Sequence, residues 1–129
     1  TELQVRRPEH SGELCFYRAS DLEKQRKNVF DFITMTDEDL SEVVPYFRSE
    51  YGVSLHHLVP VAQPAQESRC LLIHLEPGEK YGWCFQWDHD GAWELEHPTT
   101  SFDTALKELM AGIETRDTSM LSFLGVYID

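Results

Sequence analysis

CLLIHLEPGEKYGWCFQWDHDGAWELEHPTTSFDTALKELMAGI, residues 70–113, decides the fold. Cys70–Glu76 is a dense apolar run of strand length. Pro77-Gly78-Glu79-Lys80 is turn chemistry, because proline presets one backbone angle and glycine frees the next. Tyr81–Asp88 reads as a second strand. Asp90-Gly91 is the pairing that two-residue hairpin loops favour, so Gly91–His97 is expected to return as a third strand. Pro98 ends it. Phe102, Ala105, Leu106, Leu109, Met110 and Ile113 then recur at helical spacing and make a continuous apolar stripe. The stretch predicts a meander over 70–97 followed by an amphipathic helix across one sheet face.

Upstream, Leu3–Val5 and Glu13–Arg18 are strand-like, separated by Pro8 and Ser11-Gly12. Ser20-Asp21-Leu22-Glu23 has the form of a capping box, and Leu22, Val29, Phe30 and Ile33 follow on one helical face. Thr36 with Asp39 three residues on opens a second helix, in which Leu40, Val43, Val44 and Phe47 recur. Pro45 would kink or restart that helix, and Gly52 stops it. Val53–Ala62 is β-rich, with Pro60 marking an edge strand or a strand end. Gln63–Arg69 reads as a loop, Glu114–Thr118 as a polar linker and Met120–Ile128 as a final strand or docked tail. The whole reads as one α+β domain over 1–129: an antiparallel sheet, the 70–97 meander at its centre, helices packed on one face.

The 129 residues are 41% hydrophobic, ordinary for a globular chain, and no apolar run approaches membrane-spanning length. The N-terminal residues carry no apolar secretory core. Cys15, Cys70 and Cys84 are too few and scattered for a disulfide framework and read as reduced thiols in a cytoplasmic setting, a Cys70–Cys84 bridge being the minor alternative. Eleven basic and 23 acidic residues leave a formal net charge of −12. Such a charge argues against nucleic acid and anionic membrane as partners. It serves solubility, or attraction of a basic protein.

Asp88-His89-Asp90 is the most chemical-looking cluster, two carboxylates around an imidazole. At a hairpin tip the same residues are wanted for backbone reasons, and the turn reading leads. A metal would need further ligands such as His74 or His97, which the spacing does not promise. His56 and His57, adjacent in an expected strand, would point to opposite faces. Trp83, Phe85 and Trp87 share one face and read as core. Gly82, Cys84, Gln86 and Asp88 would then form a shallow, partly polar face suited to binding. Glu94 and Glu96, pointing away from Trp93 and Leu95, would line that open face. No nucleophile elbow, phosphate loop or metal-type cysteine pair is present. No catalytic residue, metal or cofactor is expected.

The segments LVPVAQ (58–63), CLLIHLE (70–76), GWCFQWDHDG (82–91) and TTSFDTALKEL (99–109) resemble the second half of SUKH-superfamily domains. The matches are Leu58 and Pro60 in an entry strand, Trp87-Asp88-His89 at a strand end, and Ser101-Phe102 opening the last helix. Val44-Pro45-Tyr46-Phe47 through Gly52 resembles the family's Leu-Pro helix and its glycine turn. The resemblance implies a bacterial, non-enzymatic protein: an immunity protein that occludes a cognate toxin, often a nuclease. The expected partner is a basic protein toxin, and the expected state is a monomer or weak homodimer. The acidic docking residues would be Asp37, Glu38, Asp39, Glu42, Asp88, Asp90, Glu94 and Glu96. An adaptor or secretion chaperone is the alternative, and a small hydrolase or metal-dependent enzyme using Asp88, His89 and Asp90 a further one.

Overall fold

The computed structural model describes residues 14–64, 69–91 and 93–115. The Leu3–Val5 strand and the Met120–Ile128 segment expected from sequence lie outside them. Among the described residues are five strands, β1 (Leu14–Phe16), β2 (Leu58–Pro64), β3 (Arg69–His74), β4 (Cys84–Asp88) and β5 (Glu96–Thr99). Three α-helices accompany them, α1 (Leu22–Ile33), α2 (Asp37–Tyr51) and α3 (Phe102–Thr115). The sheet runs β1-β2-β3-β4-β5, every pair antiparallel. This is the α+β architecture the sequence predicts.

The β3–β4 register explains the core. Cys70 opposes Trp87 and Leu72 opposes Phe85, while Leu71 opposes Gln86 and Ile73 opposes Cys84. Alternation sends the first four to one face and the second four to the other. On the first face Val29 and Ile33 of α1 and Val43 and Phe47 of α2 close a core with Leu58, Leu72, Phe85 and Trp87. Burying each such aliphatic or aromatic side chain stabilises the fold by about 1.5–3 kcal/mol. Phe85 and Trp87 are therefore core, as expected, while Trp83, just before β4, is half-buried and packs against its edge.

The second face is not open. Ala105 and Leu109 of α3 pack there against Ala62, Leu71 and Cys84, with Phe16 and Phe102 edge to face at 5.9 Å. Helices thus cover both faces, α1 and α2 on one and α3 on the other, which corrects the expectation of a single helical layer and an exposed Cys84–Gln86 surface. Small residues at 62, 84 and 105 let the helix approach closely. Met110 falls outside the contact and is exposed. Cys70 and Cys84 sit on opposite faces as free thiols, so no bridge joins them.

Local signals succeed unevenly. The Thr36 hydroxyl accepts the Asp39 N–H at 3.0 Å, and Gly52 ends α2 in the left-handed region at φ 70°. Pro45 is accommodated inside α2 on its exposed side. The Ser20 capping box does not form: a 3-10 turn at Ala19–Asp21 precedes α1, and Glu23 is drawn to Arg26 instead. Leu55–His57 is another 3-10 turn, so β2 starts only at Leu58 and His56 and His57 are not in a strand. Pro60 lies in a strand with neighbours on both sides. It is tolerated because β1 pairs only with Ala62–Pro64, and the β2–β3 register shifts between Pro60 and Ala62.

The Asp90-Gly91 hairpin is replaced. His89–Gly91 forms a 3-10 turn, and the third meander strand begins at Glu96, not Gly91. The Tyr51 hydroxyl explains why: it accepts the Leu95 N–H at 3.1 Å and donates to the Trp93 carbonyl at 3.3 Å. These backbone groups are satisfied by a side chain of α2, and so no ladder is required there. β5 is irregular, with Cys84 opposite Thr99 and Gln86 opposite Glu96. His97, at φ 49°, takes the extra residue of the bulge.

Candidate functional site

Asp88, His89 and Asp90 are built into the backbone. Asp88 Oδ1 accepts the Asp90 N–H at 3.0 Å, and its Oδ2 accepts Arg69 Nε at 2.8 Å. The His89 ring stacks on Phe32 at 4.5 Å and meets Trp87 edge to face at 4.9 Å. The first carboxylate closes a turn and neutralises an arginine, while the imidazole packs across the end of α1. This is the turn reading made concrete. Among the described residues no group of three or more His, Cys, Asp or Glu side chains is placed to hold a metal ion.

The other histidines are structural or peripheral. His74 is fully buried, its Nε2 accepting the Ser54 N–H at 3.0 Å and its Nδ1 lying 2.9 Å from the Lys80 carbonyl. Only the neutral tautomer protonated at Nδ1 serves both partners. Burial, the largest influence, holds its pKa below the usual imidazole value. His56 stacks on Phe30 at 4.7 Å, His57 Nδ1 lies 2.8 Å from Ser54 Oγ, and His97 is exposed.

Between α1 and the sheet lies a cleft of about 320 Å³ that sequence reasoning missed. Val29, Phe32, Pro60 and Trp87 line it, with Gln25, Asn28, Gln63, Arg69 and the Tyr17 hydroxyl at its polar positions. The Tyr17 hydroxyl donates to Gln63 Oε1, and burial pushes the phenol up to about 12. Cys70 at the cleft floor is likewise pushed up to about 12 by burial, so it stays a thiol. Gln25 and Asn28, spaced i,i+3 beside the apolar positions of α1, were the only local hint.

The acidic residues divide into two groups. Asp88 is half-buried and its charge is met by Arg69. Asp37, Glu38, Asp39, Glu42, Asp90, Glu94 and Glu96 make no ion pair among the described residues. All of these but Asp39, which is half-buried, are exposed. Several described cations are committed elsewhere. Arg26 pairs with Glu23, Lys107 with Asp103, and Arg48 holds Glu76 through two bonds of 2.7 and 2.9 Å. Lys80 sits 3.9 Å over the Trp83 ring. Hydrogen bonding to Arg48 and to Arg26 holds the Glu76 and Glu23 carboxyls below the usual range.

Apart from Glu96 in β5, the unpaired carboxylates lie on α2 and on the stretch before β5, which touch. His89 stacks on Phe32, Trp93 packs against Tyr46 at 5.7 Å, and Leu95 is tied to Tyr51. A hydrogen bond with Tyr51, burial and the charges of Glu50 and Glu94 together raise the Tyr46 pKa. Glu94 thus stands beside α2, whose N-terminal turns carry Asp37, Glu38 and Glu42. No family model, curated protein or solved structure matches this chain. Among the described residues no helix is long and apolar enough to cross a membrane.

Proposed function

We propose that this chain is a non-enzymatic, SUKH-like immunity domain that binds a basic protein toxin and occludes its working surface. The observation that carries the reading is that Asp37, Glu38, Glu42, Asp90, Glu94 and Glu96 are exposed and make no ion pair among the described residues. Arg48 and Arg69 are turned to Glu76 and Asp88, and among the described residues these six carboxylates keep their charge unpaired. Their field steers a cationic partner and speeds encounter. A toxin that acts on nucleic acid must itself be basic where it grips phosphate, which makes it the fitting partner.

The test is capture of a basic toxin encoded beside this chain, at several salt concentrations. Reversing Glu94 and Glu96 to lysine, with Asp37 and Glu38 reversed in a second variant, should each weaken binding by about tenfold or more and flatten its salt dependence. Unchanged affinity and unchanged salt slope in both variants would refute the electrostatic reading. Rescue of growth on co-expression with that toxin, lost in the variants, would connect binding to neutralisation.

A further inference from the structure

The corner between α1 and α2 exposes apolar side chains in a predominantly acidic setting. Phe32 is 38% exposed, Met35 74% and Leu40 40%, all within nine residues. The remaining large exposed apolar side chains among the described residues, Leu75, Tyr81 and Met110, are scattered over other elements. From Asn28 to Phe47 the chain carries Asp31, Asp37, Glu38, Asp39 and Glu42 and no lysine, arginine or histidine. Of the cations just outside this run, Arg26 and Arg48 are bound to Glu23 and Glu76, and Lys27 stands one helical turn before Asp31. His89, stacked on Phe32, brings the exposed Asp90 to the same corner.

An apolar centre inside a charged rim is the anatomy of a docking site, in which a few anchors supply affinity and the rim supplies selection. The sign of the rim chooses the occupant. A second copy docked corner to corner would set the same carboxylates, Asp37, Glu38 and Glu42, against one another and be repelled. We infer that the Phe32–Met35–Leu40 corner is the anchor point for a basic protein surface that presents an apolar or aromatic side chain among its lysines and arginines. This inference rests on the acidic-docking reading and adds to it an apolar anchor at one corner of the acidic surface.

Two synthetic probes separate the two ideas: a peptide of lysines with a central tryptophan, and the same peptide with central glycine. Each is titrated into the isotope-labelled full chain, and affinity and amide shifts are read by NMR. The tryptophan peptide should bind about tenfold tighter than the glycine peptide, a gain characteristic of one buried aromatic anchor. The largest shifts should fall on residues 32–40 and on Asp90. Met35→Ser should remove that preference, while Met110→Ser, on exposed α3 surface, should leave it. Both substitutions are at exposed positions and leave the core untouched. Equal, salt-sensitive binding of both peptides would overturn the anchor and leave the acidic surface standing. A tryptophan preference that survives Met35→Ser would do the same. Failure of both peptides to bind even at low salt would overturn the anchor and count against the electrostatic reading too.

Discussion

His74 should make the stability of this protein fall as the pH drops below neutral. The buried ring accepts one hydrogen bond at Nε2 from Ser54 N–H and donates another from Nδ1 to the Lys80 carbonyl. Protonating Nε2 would set two donors face to face inside the core. The folded pKa is accordingly lowered from its ordinary 6.5, chiefly by burial. Above that ordinary value both folded and unfolded chains hold a neutral ring, and the contribution is complete. As the pH falls through it, the unfolded chain takes up a proton that the folded chain refuses. Stability then declines by up to about 1.4 kcal/mol per pH unit for this one proton, until the folded pKa is reached. Urea unfolding at steps from pH 7.5 to pH 5 measures it. His74→Phe supplies the control: it should lower stability at neutral pH, because Ser54 N–H and the Lys80 carbonyl each lose a partner at about 1–3 kcal/mol. It should also flatten the decline below neutral. A wild-type profile that is level across this window, or a His74→Phe profile with the same slope as wild type, would refute the assignment.

Three further outcomes follow from the same geometry. Tyr51→Phe removes the hydroxyl that holds loop 93–95 to α2. Stability should fall by about 1–2 kcal/mol, with faster hydrogen exchange at the Leu95 amide. Gly52→Ala places a Cβ in ordinary contact with Lys80 but in the left-handed region at φ 70°. It should cost about 1–2 kcal/mol by urea titration, with the contribution coming from backbone geometry alone. Cys70 and Cys84, both pushed up to about 12 by burial, should resist a thiol reagent in the native protein at mild alkaline pH and react once urea unfolds it.

Several parts of the site were legible from local chemistry. The Thr36 cap and the Gly52 stop each involve groups within a few residues, so nothing distant could redirect them. Trp83, Phe85 and Trp87 had to share a face once Cys84–Asp88 was extended. The helix beginning at Phe102 was likewise set by its own periodicity. Signals that compete with distant groups were less secure. Ser20 lost its capping partner because Arg26 captured Glu23. The Asp90-Gly91 turn yielded to stacking of His89 on Phe32 and to the tether from Tyr51, whose hydroxyl accepts the Leu95 N–H from 44 residues away.

The sequence by itself determined the helices, the core face of the central strands and the large negative charge, because these depend on periodicity and composition. Only the tertiary structure decided which face α3 would cover, which carboxylates would be neutralised and which apolar side chains would stay uncovered at the α1–α2 corner. Arg48 meets Glu76 across 28 positions and Arg69 meets Asp88 across 19. Pairings over such separations depend on how whole elements stack, and no short window of residues contains that information.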